Sequence, residues 1–407
     1  MNRFPLPGEN RVAWLLWWIY GSFYFCRSNI SAAVPGMEQE MGFSKTQIGG
    51  ILGSLKLAYA AGQLVNGQLA EMVPSRRLLA AGMFGSAALN VAFGWGTALN
   101  FLLFVWAANG YFQALGWTPS LRVAANWIPI ERRGRAIGLI GTGYQTTAAL
   151  TFLLSGELAE RLGWRAALYG PAALLAAAGV GMVLLLPEAP EGGARQRAPW
   201  SSRSLHNLWL TVSNPVLWLL ALSLALLNFC RYGFLDWGLT HLAETQKSGV
   251  GAAARNYALL PLGGIAGAYL AGWATDRFFG SRRAPVICLL LAALAGLTMG
   301  YEQVARQSVG GTVALLLVIG FVIYGPQVLL VGTAPADLAR GGTAAAGAGF
   351  VNFIGYIGAY AGDYLTGRLV DSYGWPVAVR TWSGCALGAA AAAAVLWNAT
   401  ARREAEP

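Results

Sequence analysis

About twelve apolar stretches run through this chain, near 13–35, 46–70, 77–96, 100–127, 135–159, 165–186, 216–242, 252–274, 284–302, 310–333, 344–370 and 377–399. Each is long enough to cross a bilayer as a helix of roughly 20 residues. In lipid every backbone N–H and C=O must be paired within the protein, so only helices and closed barrels span a membrane. Barrel strands are short and alternate in polarity, whereas these runs are continuous and glycine-rich. The expected fold is an all-α membrane protein with twelve transmembrane helices. Composition agrees, with 56% hydrophobic and 11% charged residues, against about 25% charged in a soluble domain.

Lys and Arg accumulate in the cytoplasmic loops of membrane proteins. With the N-terminus inside, sixteen of the 28 fall on that side, among them Arg76, Arg77, Arg132, Arg133, Arg282 and Arg283. About eight fall outside, among them Lys45, Arg161, Arg165 and Lys247, and four (Arg27, Lys56, Arg122 and Arg231) lie within helices. Both termini are thus expected in the cytoplasm, in a plasma membrane of the bacterial inner-membrane type. Topology accounts for much of the net charge of +10, and nucleic acid is not an expected partner. The first run is too long for the apolar core of a cleavable signal and lacks a small-residue cleavage site. Cys26, Cys230, Cys288 and Cys385 all fall inside helices without metal-ligand spacing. Neither a catalytic triad nor a phosphate-binding loop is visible, so no enzyme activity, cofactor or metal is expected. His241, near the outer end of the seventh run, is expected at the membrane interface.

The chain repeats itself. Phe25-Cys26-Arg27 recurs as Phe229-Cys230-Arg231, with the arginines 204 positions apart. Gly67 and Glu71, followed by Ser75-Arg76-Arg77, recur as Gly272 and Asp276, followed by Ser281-Arg282-Arg283, at offsets of 205 to 206. A near-constant offset indicates two pseudo-symmetric six-helix halves, 1–187 and 215–407, joined by a polar cytoplasmic linker at 188–214. Within the linker, 200–212 fits a short surface helix. An arginine at mid-membrane costs several kcal/mol at least and must face protein or water. Two such arginines in matching places point to one anion site, because a guanidinium offers a fork of donors that fits phosphate or carboxylate oxygens. Tyr20 and Tyr24 precede Arg27 by seven and three residues, which puts all three on one helix face.

Four further stretches carry a family resemblance: Arg231-Tyr232-Gly233-Phe234-Leu235-Asp236-Trp237, Leu115-Gly116-Trp117-Thr118-Pro119, Gly320-Phe321-Val322-Ile323-Tyr324-Gly325-Pro326, and Gly342-Thr343-Ala344-Ala345 with Gly355-Tyr356-Ile357-Gly358. In this order they resemble the organophosphate:phosphate antiporters of the major facilitator superfamily. The resemblance implies that Arg27 and Arg231 hold a phosphoryl group. It implies that Tyr20, Tyr24, Tyr59, Tyr324 and Tyr356 line the site; Asp236, Tyr144 and Gln145 are further candidate contacts. The expected partners are a small anionic substrate (a phosphate ester and inorganic phosphate) and the lipid bilayer, with the chain acting as a monomer. The sequence departs from the family where Ser28 and Gln63 replace lysines. It departs again where Tyr144 and Pro261 replace a His and a Glu that the family pairs.

Lys56 and Asp363 are charges outside the family pattern. They lie about ten and about eight residues from the outer ends of the second and eleventh helices, depths that match at 1.5 Å per residue. They are expected either to pair as an outer gate or to face a wet cavity separately. Alternatives stay open for the other residues: the arginines as a structural pair with Asp236, the tyrosines as packing, and Gly263 and Gly267 as sites of close helix contact. The expected function is exchange of an organophosphate for inorganic phosphate by alternating access. The alternatives are a proton-coupled organic-anion symporter, with Asp363 or Asp236 titrating, and a membrane sensor of sugar phosphates. Drug efflux fits the arginine pair poorly.

Overall fold

The structure is a computed structural model that describes residues 7–187, 207, 209–340 and 343–400. Helices follow one another in the order α1 (Pro7–Ser22), α2 (Ile30–Met41), α3 (Lys45–Met72), α4 (Ser75–Trp95), α5 (Leu99–Gln113), α6 (Trp117–Trp127), α7 (Ile130–Leu162), α8 (Ala166–Leu185), α9 (Pro215–Tyr232), α10 (Gly238–Gln246), α11 (Val250–Tyr257), α12 (Leu259–Phe278), α13 (Arg283–Gln307), α14 (Val309–Val328), α15 (Ala334–Leu338), α16 (Ala344–Tyr373) and α17 (Trp375–Ala394). The twelve apolar runs are all helical, but five are not continuous. The first and fourth are interrupted at 23–29 and 114–116, the eighth at 258, and the seventh and tenth by single π-helical turns, Gly233–Trp237 and Leu329–Thr333. A hydropathy average over roughly twenty residues passes over breaks this short, even where they carry Arg27, Ser28 and Asn29 or Asp236. Among the described residues nine helical spans are long and apolar enough to cross a membrane.

Two compact units divide the chain: Met1–Phe43, Ser54–Pro199 and Gly249–Ala258 in the first, and Ser44–Gly53, Trp200–Ser248 and Leu259–Pro407 in the second. In the first, Val12, Leu16 and Ile19 of α1 pack with Leu79 and Met83 of α4, Ile140 and Ala148 of α7, and Leu175 and Met182 of α8. The three- and four-residue spacing puts each set on one helix face. In the second, α9 packs against α16 and α17, and α12 lies along α14. There Gly263 and Gly267 meet the carbonyls of Leu317 and Phe321, and Gly320 meets that of Leu260, so closely that a Cβ at any of the three would overlap the facing backbone. Absence of a side chain lets these helices touch, as membrane helix packing favours.

Two helix starts are closed by carboxylates. In the second unit Asp371, near the end of α16, accepts from Lys45 N (3.1 Å), Thr46 N (2.7 Å) and Thr46 Oγ1 (2.6 Å) at the start of α3. Lys45 Nζ also lies 2.6 Å from Glu244. In the first unit Glu160, near the end of α7, accepts from Gly251 N at the start of α11 (2.5 Å), and neighbouring Glu157 pairs with Arg255. Each satisfies amides that have no partner within their own helix and complements its positive end.

The repeated loop is visible in its second copy. Arg283 joins Asp276 and Asp337, both at 2.9 Å, and Ser281 Oγ donates to Asp276. The side chains of Gly67 and Glu71 in the first copy lie outside those described, as does most of the linker, 188–206 and 208. The expected surface helix falls mostly there, although 209–212 are helical and Trp209 is exposed. His241 departs from expectation. It is fully buried, with Nε2 2.6 Å from Glu302 and Nδ1 3.2 Å from Tyr301. A carboxylate and a phenol from α13 supply the polar surroundings that an interface would have given.

Candidate substrate-binding site

In the first unit the site is built on a broken helix. α1 ends at Ser22, a 3₁₀ turn spans Phe23–Cys26, and Arg27 takes a non-helical conformation (φ −125°, ψ −47°) before α2 begins. Such a break frees carbonyls that lipid cannot satisfy. Three buried amides meet them: Asn109 Nδ2 donates to Cys26 O (2.9 Å), Asn90 Nδ2 to the same atom (3.3 Å), and Gln113 Nε2 to Phe23 O (3.0 Å). The amides are cross-linked in turn. Asn29 Nδ2 donates to Asn90 Oδ1 (2.9 Å), Ser86 Oγ to Asn109 Oδ1 (2.6 Å), and Gln113 Nε2 to Ser86 Oγ (2.8 Å). None of these residues was singled out from sequence. The available signal was polar amides inside otherwise apolar helices.

The network fixes the backbone from which Arg27 projects. Its guanidinium, on a side chain 7% exposed, lies over the rings of Tyr59 (4.4 Å) and Tyr24 (5.3 Å). Tyr24 stacks on Tyr144 (4.9 Å), and Tyr20 touches Tyr24, Tyr144 and Trp117. Gln145 is buried, and its Nε2 has no hydrogen-bond partner. Lys56 is buried in the same unit. The expected cluster of Tyr20, Tyr24, Arg27, Tyr59 and Tyr144 is therefore one contiguous group, to which Trp117 is added.

The second unit repeats the theme. Arg231, 2% exposed, closes the last turn of α9, and the π-helical turn carrying Asp236 follows at once. Its guanidinium lies over Tyr232 (4.8 Å) and Tyr324 (5.1 Å), and Tyr232 lies 6.3 Å from Tyr356. Gly233 is required locally, since a Cβ there would strike the indole of Trp382. Asp236 is buried, as is Asp363 on α16, whose backbone carbonyl accepts from Trp237 Nε1 (3.2 Å). Tyr232 was part of a quoted stretch but was not named as a site residue. In both units a guanidinium sits between two phenol rings beside an irregular turn. Cation–π contact offsets part of the cost of burying the charge.

The model of the Major Facilitator Superfamily matches residues 16–362. A glycerol-3-phosphate transporter of Bacillus subtilis is 31% identical over 95% of this chain and 91% of its own length. A probable hexose phosphate transport protein of Chlamydia pneumoniae is 29% identical over 94% and 89%. A membrane sensor protein, UhpC, of Salmonella typhimurium is 28% identical over 88% and 85%. Among solved structures, a bacterial homolog of the human lysosomal transporter Spinster superposes with a TM-score of 0.77 over 98% of both chains at 17% identity, a likeness of fold.

Proposed function

Because the chain belongs to the major facilitator superfamily, we propose that this multi-pass membrane transporter exchanges a small organophosphate for inorganic phosphate by alternating access. The observation that carries the reading is the pair of buried arginines, each held between tyrosine rings at a helix irregularity. The relatives named for glycerol phosphate and hexose phosphate support the substrate class. Arg27 and Arg231 hold the phosphoryl oxygens, and Tyr20, Tyr24, Tyr59, Tyr324 and Tyr356 supply hydroxyls around it. Tyr144, Gln145 and Asp236 bound the rest of the ligand, and Lys56 and Asp363 serve as an outer gate. Reorientation takes place with an anion bound, and this ties outward movement of phosphate to inward movement of ester. Both termini lie in the cytoplasm of a bacterial-type inner membrane, and a monomer suffices.

Purified protein in liposomes tests the reading. Uptake of a phosphate ester should require phosphate inside and should not respond to a pH gradient. Uptake into phosphate-free vesicles driven by protons would replace exchange with symport. Binding without flux, as a sensor would show, would remove transport altogether.

A further inference from the structure

Asn228 is three residues before Arg231 on α9, so the two side chains share one helix face. It is 3% exposed. Its Nδ2 donates to the carbonyl of Gly355, 2.9 Å away on α16. That carbonyl can only accept, so the bond fixes which end of the amide is nitrogen and which is oxygen. Gly355 carries no Cβ, and one would press on Leu224 and on Asn228 itself. α9 and α16 are thereby close enough to clamp the amide. Oδ1, turned away from Gly355, is buried and accepts no hydrogen bond. Tyr356, whose ring lies 6.3 Å from that of Tyr232 beside Arg231, is the residue after Gly355.

A buried acceptor without a donor costs about 1–3 kcal/mol, and such groups in native proteins call for an explanation. The rings packed against Arg231 carry phenol groups, which with its guanidinium suit phosphoryl oxygens. Asn228 Oδ1 suits the opposite partner, a hydroxyl hydrogen. We infer that Asn228 is a specificity-determining residue that accepts a hydrogen bond from an alcohol group of the substrate. This rests on the proposal that the arginines hold the phosphoryl group. Inorganic phosphate would be held by the arginines without using Asn228, which lets one site bind both exchange partners and still distinguish them.

The test compares three probes by titrated thermal stabilisation of the purified full-length chain: inorganic phosphate, glycerol 3-phosphate and n-propyl phosphate, the last with the same phosphoryl group and chain length but no hydroxyl. Wild-type protein should bind glycerol 3-phosphate about tenfold or more tighter than propyl phosphate, the loss expected when a buried acceptor is left unmet. Asn228→Leu should erase that difference and leave affinity for inorganic phosphate within about twofold. Equal binding of the two esters by wild-type protein would overturn the inference, and this result needs no variant to fold. An Asn228→Leu variant that weakens all three probes alike would overturn it too, since Asn228 would then act only through the fold. Should none of the three bind wild-type protein, the phosphate reading itself fails.

Discussion

At the scale of residues, Arg27 and Arg231 face the protein interior, as two charges inside apolar runs must. Duplicated charges inside apolar runs announced them, and each is buried against two phenol rings. Arg27→Lys or Arg231→Lys keeps the charge but loses the fork of donors. Uptake in liposomes should fall about ten- to hundredfold, the worth of one charged hydrogen bond, while the melting temperature stays near that of the parent. Near-normal uptake by both variants would exclude a bidentate role. Tyr24, Tyr59 and Tyr324 were legible because the family resemblance named them. Asn90, Asn109, Gln113 and Asn228 were not, because an amide in a membrane helix can serve backbone, ligand or lipid, and only contacts tell which. His241 misled for a related reason: depth along the helix was readable, but the face presented to Glu302 was not.

Among elements, length and polarity were legible and continuity was not. The 3₁₀ turn before Arg27 is as apolar as its neighbours, and the π turn after Arg231 carries one charge, Asp236, among apolar residues, so a hydropathy profile passes over both. Helix-to-helix contact gives a clean prediction. Gly263→Ala places a methyl against the carbonyl of Leu317 and should cost about 1–3 kcal/mol by overpacking. Gly296→Ala on α13, with nothing within 4 Å of the new methyl, should be neutral or gain up to about 1 kcal/mol in helix propensity. Thermal melts of the two variants in detergent should separate them in that order. A second prediction concerns the end of α2. Glu40 accepts from Arg165 and from the indole of Trp164, and these bonds hold its carboxyl below the usual value of 4.5. A lowered folded pKa means that the pair's stabilisation is complete above pH 4.5 and is lost as pH falls through the lower folded value. The melting-temperature difference between parent and Glu40→Gln should therefore be present at neutral pH and vanish in acid. A difference that persists unchanged at pH 3 would show that the charge is not responsible.

For the whole molecule, Lys56 lies eleven residues from the start of α3 and Asp363 ten from the end of α16. If they form the outer gate, Lys56→Asp or Asp363→Lys alone should depress transport, and the double swap should recover more activity than either single change. A swap no better than the worse single variant would count against the gate. The described units add a feature that hydropathy and repeats did not foretell. Residues 44–53 belong with the second unit and 249–258 with the first, each held at a helix start by Asp371 or Glu160. These two exchanged segments are counterparts under the 205-residue repeat, since the start of α3 corresponds to the start of α11. A six-helix piece of this kind therefore carries an acidic helix end whose natural complement is another copy's helix start. Were the two halves separate chains, each would offer its acidic helix end to the other's helix start, so that the exchanged segments would serve as a matched pair of clasps.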